Sequence, residues 1–285
     1  MKLPISVIIL TLNEEINLVR CLDSIGEHVD EVIVVDSHNT TDKTLDIAKK
    51  YGAKILRHKF INQAQQLNWT LDNVGIKNEW VFRLDADERV TSELWKELEG
   101  NLSETPNEVT GFYIKRRVYF MGKWIKHGGY YPTWILRLFR KGKARSEERE
   151  VDEHIVLLEG KAGKLKYDFI DDNQKNLEWW TNKHNNFSTR EVRERLKSKK
   201  KAGDARLVEG QASKKRWLKG NVYLRLPLFL RAFLYFTYRY IFRLGFLDGK
   251  EGLIFHFLQG CWHQFLTDAK LYEHERKREN KKILE

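Results

Sequence analysis

Four short apolar runs lie in the first third of the chain, and each is separated from the next by a stretch long enough for one helix. The runs cover residues 6–10, 31–36, 53–56 and 79–84. Runs without polar alternation are typical of strands that are buried on both faces, as in parallel sheets. The repeated order of strand and helix therefore predicts an α/β fold with an open, mostly parallel sheet.

Polar and acidic side chains follow these runs at the points where the strands would end. The set consists of Thr11, Asn13, Glu14, Asp36, Ser37, Asp42, Asp85 and Asp87. Right-handed crossovers bring the carboxyl ends of parallel strands to one edge of the sheet, where such folds bind their ligands. The stretch after residue 10 has no Gly-rich loop, which argues against P-loop and dinucleotide-binding sites. The sequence therefore predicts an acidic site that holds phosphate through a metal ion.

Asp85 and Asp87 come directly after the fourth run, with Ala86 between them. Side chains alternate in direction along a strand, so both carboxylates would point the same way from its end. Mg²⁺ and Mn²⁺ commonly bind one or two carboxylates together with substrate phosphates. We therefore expect Asp85 and Asp87 to bind Mg²⁺ or Mn²⁺. The alternative is an acidic pair that only ends a strand.

The positive charge of the chain lies outside this first part. The net charge is +11, yet residues 1–100 hold 12 basic and 17 acidic residues. A nucleic-acid-binding protein would more often be basic across its recognition domain, so no nucleic-acid partner is expected. The two distant cysteines, Cys21 and Cys261, fit a reducing compartment. The N-terminus leads straight into the first strand without the pattern of a signal peptide, which predicts a cytoplasmic protein.

A basic and apolar segment covers about residues 214–247 and contains no acidic residue. In a helix that begins near residue 227, three of its arginines would fall within an arc of about 120°. These cations interrupt the apolar sequence too often for a membrane-spanning helix. The pattern predicts an amphipathic helix on an anionic membrane surface, where each basic residue contributes ~1 kcal/mol. The basic residues assigned to this surface are Lys214, Lys215, Arg216, Arg231, Arg239 and Arg243.

Besides a spanning or re-entrant helix, which these interruptions disfavour, two alternatives remain for this segment. The helix would instead pack on the catalytic domain, or it would form a contact between two copies of the chain. A homo-oligomer is therefore left open.

Motifs in the first hundred residues resemble those of family 2 glycosyltransferases with the GT-A fold. The matching sequences are residues 6–15, Asp36-Ser37, residues 41–44 and residues 84–88. The resemblance implies a Rossmann-like open, mostly parallel sheet. It also implies transfer of a sugar from a nucleoside diphosphate to an acceptor hydroxyl, with inversion of the anomeric centre.

The same resemblance assigns roles to individual residues. It implies that Thr11, Asn13 and Glu14 lie by the ribose and base of the donor, and that Asp36 binds the base. The sequence Asp85-Ala86-Asp87 would belong to the metal and diphosphate motif. The loop at residues 37–42 is one residue longer than the usual pattern and lacks its common glycine. The roles of Ser37 and Asp42 therefore stay open.

A second resemblance concerns the acceptor side. Residues 134–142 and 150–155 are similar to a segment of bacterial lipopolysaccharide-core β-1,4-glucosyltransferases, and residues 246–252 are similar to their C-terminal signature. The resemblance implies a general base at Glu153. Asp152 replaces the usual histidine of the motif, so either acid is a candidate for the base. A solvated charge is the alternative for Glu153.

These observations predict a catalytic domain at residues 1–165 and a mainly helical C-terminal region at residues 166–285. The predicted function is an inverting, metal-dependent hexosyltransferase that uses a nucleotide-diphosphate sugar, UDP-linked by family frequency. The acceptor would be a glycolipid, or a lipid-linked or lipopolysaccharide glycan. The enzyme would be peripheral and monotopic on the cytoplasmic face of the cell membrane. A metal-dependent nucleotidyltransferase and a non-enzymatic basic nucleic-acid-binding or scaffold protein are the alternatives.

Overall fold

The computed structural model describes residues 2–148, 153–198 and 211–284, which form two compact units. The sheet unit contains Met1–Gly122, Tyr131–Glu148 and Glu153–Lys175, as far as these residues are described. The helical unit contains Lys123–Tyr130 and the described part of Asn176–Glu285.

The described residues contain strands and helices in the alternating order that the sequence predicts. The strands are β1 Leu3–Thr11, β2 Val29–Asp36, β3 Lys54–Arg57, β4 Trp80–Asp85, β5 Glu88–Val90, β6 Val109–Phe120, β7 Lys123–Ile125, β8 Thr133–Arg140, β9 Ala144–Ser146, β10 Ile155–Leu157 and β11 Lys161–Asp171. The α-helices are α1 Glu15–Ile25, α2 Thr44–Lys50, α3 Gln63–Asn73, α4 Ser92–Asn101, α5 Leu177–Ser198, α6 Gln211–Asn221, α7 Leu230–Thr237, α8 Gly249–His256 and α9 His263–Leu284.

The main sheet has the strand order β3-β2-β1-β4-β8-β6-β11-β5. Strands β1 to β4 pair in parallel, as the four apolar runs predict. Strand β8 lies antiparallel to both β4 and β6, and β11 lies parallel to β6. The division expected after residue 165 cuts β11, which continues to Asp171 within the sheet unit.

Strand β1 is buried on both faces because its side chains alternate between two apolar clusters. Val7 and Ile9 pack into the cluster that contains residues of α1 and α4. Ile8 and Leu10 pack into the cluster on the other face, which contains a residue of α3. The core therefore covers both faces of the parallel strands, which explains their continuous apolar runs.

The helical unit contains β7 and helices α5 to α9, and it confirms a helical C-terminal region. Helix α7 begins close to the predicted start and continues as a π-helical turn at Tyr238–Phe242. A 3₁₀ turn at Gly245–Asp248 precedes α8. Within the described ranges, no helix combines the length and the apolar character that a bilayer crossing requires.

Candidate functional site

The carboxyl ends of strands β1, β2 and β4 meet at one edge of the sheet. The parallel register places Thr11 opposite Asp36 and Leu10 opposite Asp85. In strand β3, Arg57 lies opposite Asp36. Residues that are far apart in the sequence therefore come together at the edge where a ligand site is expected.

Asp36 ends strand β2 and is fully buried. Its Oδ1 accepts a hydrogen bond from the Thr40 hydroxyl and another, at 3.4 Å, from the Thr11 hydroxyl. Its Oδ2 has no hydrogen-bond donor among the described residues, and the Arg57 Nε lies 3.7 Å away. A buried acceptor without a donor is costly, so this oxygen is suited to receive an N–H group from a ligand. Because the carboxylate is covered, a neighbouring side chain has to move before a ligand can reach it.

The turn between β1 and α1 is held by the segment that leads into α2. Asn13 Oδ1 accepts the backbone N–H of Thr41 at 2.8 Å. The backbone N–H of Glu14 donates to the Thr44 hydroxyl at 2.7 Å, and Asp42 accepts the first backbone N–H of α1 at 3.0 Å. Asp42 thus shapes the turn that carries Asn13 and Glu14, a role that the sequence leaves open.

Two buried arginines hold the Asp85 carboxylate. Arg83 Nη1 donates to Asp85 Oδ2 at 2.7 Å, and Arg137 Nη2 donates to the same oxygen at 3.0 Å. The buried Glu88 accepts the Asp85 backbone N–H at 2.9 Å and also pairs with Arg137. Burial raises the pKa of Glu88 well above its ordinary value, and the neighbouring Asp85 carboxylate raises it further. Two arginines of the protein therefore largely neutralise the Asp85 carboxylate.

Asp87 lies beside Asp85 but has different partners. Its Oδ2 accepts a hydrogen bond from Asn173 Nδ2 at 2.8 Å. Its Oδ1 receives no hydrogen bond from the described residues. Asp87 therefore has a carboxylate oxygen available to a ligand, in contrast to the arginine-bound Asp85.

The described residues contain no group of three or more His, Cys, Asp and Glu side chains that would hold a metal ion by themselves. Mg²⁺ needs no such group, because it usually binds one or two carboxylates together with substrate phosphates and water. The available oxygen of Asp87 is a hard ligand of the required kind, whereas arginines compete for Asp85. The residues present thus fit Mg²⁺ or Mn²⁺ bound chiefly through Asp87.

A short segment after β11, residues 172–175, lines this edge, and we call it the rim strap. Besides the bond to Asp87, Asn173 Oδ1 accepts the backbone N–H of Lys175 at 2.9 Å. The backbone N–H of Gln174 donates to Asn17 Oδ1 at 2.9 Å. The rim strap therefore connects Asp87 to the start of helix α1.

Lys175 completes the rim strap through an ion pair with Glu14. Lys175 Nζ lies 2.8 Å from Glu14 Oε1, and both side chains are largely buried. Burial raises the pKa of Glu14, although the charge of Lys175 opposes this shift. Lys175 thus places a positive charge among acidic side chains.

Asn173 and Lys175 are not among the residues that the sequence analysis assigned to the site. The single local signal is a run of polar residues after β11, which many surface loops share. Their partners, Asp87 and Glu14, lie far away in the sequence. Only the folded chain connects these two pairs.

The structure describes only one of the two candidates for the general base. Asp152 lies outside the described residues. Glu153 precedes β10, which pairs with β9 so that Ile155 lies opposite Ser146. Burial lowers the pKa of Arg83, but Asp85, Glu88 and Glu153 raise it above its ordinary value. Glu153 therefore lies within electrostatic range of the arginine that binds Asp85.

The structure corrects part of the predicted membrane surface. Arg231 and Arg239 are buried: Arg231 Nε lies 2.9 Å from Asp268 Oδ2, and Arg239 Nη2 lies 2.8 Å from His256 Nδ1. For these two arginines the prediction of a membrane-facing charge is wrong. Helical spacing indicates that they share a face, but Asp268 on α9 decides that this face points inward.

The other predicted cations of this segment have different surroundings. Lys215 and Arg243 are exposed, and Arg216 is partly exposed. The side chain of Lys214 lies outside the described part of the chain. Lys215 and Arg243 are thus the two cations of this set whose described side chains are exposed.

Comparison with known proteins places these residues in a family. The profile of the family "Glycosyl transferase family 2" matches residues 6–155, which include the carboxyl edge of the sheet from β1 to β4. The lipopolysaccharide core biosynthesis glycosyltransferase LpsC of Rhizobium meliloti is 31% identical over 172 residues. That match covers 57% of this chain and spans 60% of the length of LpsC.

A second relative is similar along most of the chain. An uncharacterised glycosyltransferase of Rickettsia typhi is 30% identical over 286 residues, covering 94% of this chain and 87% of the relative. The crystal structure of Staphylococcus aureus TarS 1–349 in complex with UDP-GlcNAc has a TM-score of 0.50 and 15% identity. The match covers 96% of this chain and 92% of the TarS chain. It shows a similarity of fold alone.

These similarities decide between the functional classes that the sequence leaves open. The family profile covers the site edge, and the Rickettsia relative extends the similarity into the helical unit. Both findings favour glycosyl transfer over nucleotidyl transfer and over a non-enzymatic scaffold. The chain therefore belongs to glycosyl transferase family 2.

Proposed function

We propose that this protein is an inverting, metal-dependent hexosyltransferase that transfers a sugar from a nucleotide diphosphate to a glycan acceptor. The proposal is carried by Asp87, which keeps an available carboxylate oxygen beside Asp85 at the carboxyl edge of the sheet. The donor would be a UDP-hexose, in line with the family resemblance.

The nucleotide would occupy the edge formed by Thr11, Asn13, Glu14 and Asp36. Asp36 supplies an acceptor oxygen to which none of the described residues donates a hydrogen bond, and this oxygen suits an N–H group of a base. Asn13 and Glu14 are fixed by the segment before α2 and so are ready to contact the ribose. These residues bind and orient the nucleotide.

The diphosphate would lie at Asp85, Ala86 and Asp87. Mg²⁺ or Mn²⁺ held chiefly by Asp87 would neutralise negative charge on the departing nucleoside diphosphate. Arg83 and Arg137 neutralise Asp85 and limit its repulsion of an anionic ligand. Such charge neutralisation is worth most in a site that excludes water.

The acceptor hydroxyl would lose its proton to a carboxylate, for which Glu153 and Asp152 are the two candidates. The acceptor oxygen would then form a bond to the anomeric carbon while the bond to the diphosphate oxygen breaks. Attack from the face opposite the diphosphate inverts the anomeric centre. A carboxylate within hydrogen-bond reach of the hydroxyl is sufficient for this step.

The acceptor would be a lipid-linked or lipopolysaccharide glycan at the cytoplasmic face of the cell membrane, where the enzyme would be peripheral. The similarity to the lipopolysaccharide core glycosyltransferase LpsC supports this acceptor class. The exposed cations Lys215 and Arg243 support binding to an anionic surface.

A screen of sugar nucleotides for thermal stabilisation, with and without Mn²⁺, tests the donor site. A ligand that binds only the folded state raises the melting temperature. We expect a nucleotide-diphosphate hexose to stabilise the protein, and more strongly with Mn²⁺ present. The absence of stabilisation by any sugar nucleotide in either condition would contradict the proposal.

A further inference from the structure

The helical unit exposes many large apolar side chains near the segment that has no acidic residue. Phe242 is 73% exposed, Leu247 is 55% exposed and Phe233 is 52% exposed. Phe246, Phe257 and Phe265 are also exposed. We call these six side chains, together with the rings of Phe236 and Tyr240, the aromatic surface. Exposed apolar patches of this kind usually mark an interaction site.

Ring contacts join the aromatic side chains of this surface into two groups. Phe233 packs on Phe265 with ring centroids 6.0 Å apart. One helical turn further along, Phe236 packs on Phe257 at 5.9 Å and on Tyr240 at 5.3 Å. Tyr240 in turn lies 6.3 Å from Phe246. These ring contacts form two groups, and Phe233 and Phe236, three residues apart on α7, are neighbours on one side of the helix.

The polar side of the same segment points into the helical unit. Arg231 is buried against Asp268, and Arg239 is buried against His256 and the carbonyl oxygen of Gly128, 3.3 Å from its Nε. An ordinary surface helix of a soluble protein has the opposite arrangement, with cations outside and aromatic side chains inside. These buried polar contacts hold the segment in an orientation that leaves its aromatic face without a cover among the described residues.

The charge of the neighbouring residues indicates what covers this face. Arg225, Arg243 and Lys250 are exposed, and the sequence contains no acidic residue from 210 to 247. Asp248, which follows, is buried and bonded to His127. A second copy of the chain would bring like charges together in a two-fold contact. An anionic bilayer instead offers headgroups to the cations and an apolar layer to the rings.

We propose that the aromatic surface inserts into the interfacial layer of an anionic membrane leaflet. This inference rests on the membrane location in the proposed function and specifies how that contact is made. Insertion of apolar side chains, rather than charge attraction by Arg231 and Arg239, holds the protein at the lipid. Exposed cations at the border then favour anionic over neutral lipid.

Vesicle flotation tests this surface with the full-length protein and two double variants. Phe242→Ser/Leu247→Ser removes two of the most exposed side chains of the aromatic surface. The control, Ile61→Ser/Leu158→Ser, removes two apolar side chains of similar exposure from the sheet unit. Vesicles of phosphatidylcholine alone, and with 30% phosphatidylglycerol, are compared at about 0.1 M and 0.5 M salt, conditions that differ in screening length.

We expect the parent protein and the control to bind anionic vesicles and to keep most of this binding at the higher salt. Phe242→Ser/Leu247→Ser should bind at least tenfold more weakly at both salt concentrations. Equal binding of both double variants, complete loss of parent binding at high salt, or no parent binding at all would overturn the inference. A change from dimer to monomer in the Phe242→Ser/Leu247→Ser variant, with vesicle binding unchanged, would instead assign the surface to a contact between copies.

Stabilisation by nucleotide sugars in solution separates this inference from the proposed function. We expect Phe242→Ser/Leu247→Ser to retain that stabilisation while it loses vesicle binding. Vesicle binding by a parent protein that no sugar nucleotide stabilises would contradict the proposed function and support the aromatic surface.

Discussion

The side-chain amide of Asn173 donates a hydrogen bond of 2.8 Å to Asp87 Oδ2, while its carbonyl oxygen accepts the Lys175 backbone N–H at 2.9 Å. The second bond fixes the amide orientation, so that the NH₂ group must face Asp87. The carboxylate is thereby held with its other oxygen available. Asn173 is thus a positioning residue for the proposed metal ligand.

Replacing Asn173 with alanine should lower the affinity for Mn²⁺ by about 10- to 100-fold, the usual effect of losing a partner of a metal ligand. Mn²⁺ titration of the nucleotide-induced rise in melting temperature measures this change. Asn101→Ala, at an exposed site on α4, is the control. An unchanged Mn²⁺ dependence in Asn173→Ala would show that Asp87 needs no such support.

Asp87→Ala should abolish sugar transfer and metal-dependent nucleotide binding, while the melting temperature of the free protein stays close to that of the parent. Asp85→Ala should lower the melting temperature, because it leaves the buried Arg83 and Arg137 with less compensating charge. Thermal unfolding without ligand, followed by transfer assays, separates the two effects. Normal turnover of Asp87→Ala would refute the assignment of the metal site.

Glu153→Gln should reduce kcat by about 10²- to 10⁴-fold if Glu153 is the base, since general base catalysis contributes that much. The KM for the donor should change little, because the residues proposed to bind the donor are unaltered. Asp152→Asn is the matched comparison. A large loss in Asp152→Asn with normal kcat in Glu153→Gln would assign the base to Asp152.

Asp268→Ala should destabilise the protein by about 3–5 kcal/mol, because it removes the partner of a buried charge. Asp268 is fully buried, and Arg231 loses its carboxylate in this variant. Urea denaturation measures the free energy of unfolding. The control Glu273→Ala on the same helix breaks an exposed pair with Lys277 and should change the free energy of unfolding little.

His256 should make the protein less stable as the pH falls from about 6.5 to about 4. Burial and, to a smaller extent, the Arg239 charge lower its pKa to about 4 from the ordinary 6.5. Between these values the unfolded chain binds more protons than the folded protein, so protonation favours unfolding. The difference corresponds to about 3 kcal/mol at 1.36 kcal/mol for each pKa unit.

Urea denaturation at pH 7 and pH 4.5 tests the contribution of His256. His256→Gln should reduce the difference in the free energy of unfolding between the two pH values. His274→Gln, at an exposed position on α9, should leave the difference as it is in the parent. An equal pH dependence in all three proteins would exclude a role for His256.

Part of this site follows directly from the sequence. The apolar runs predict β1 to β4, and parallel strands with right-handed crossovers end at one edge. Thr11, Asp36 and Asp85 therefore meet there as expected. The resemblance to family 2 glycosyltransferases, which the family profile confirms, adds that the chain is a glycosyltransferase.

Other parts depend on contacts that no local pattern encodes. Sequence periodicity predicts that Arg231 and Arg239 share a face, but it does not say whether that face meets solvent or core. This face is buried because Asp268 and His256 supply buried partners for the two arginines. The aromatic face is exposed for the same reason.

The sequence by itself determined the strand order along the chain, the acidic edge and the family, because these follow from local periodicity and short motifs. Tertiary structure alone decided that Asn173 orients Asp87, that Lys175 pairs with Glu14, and which side of α7 is covered. Each of these depends on a close contact between groups far apart along the chain, and the packing of the folded protein sets such distances.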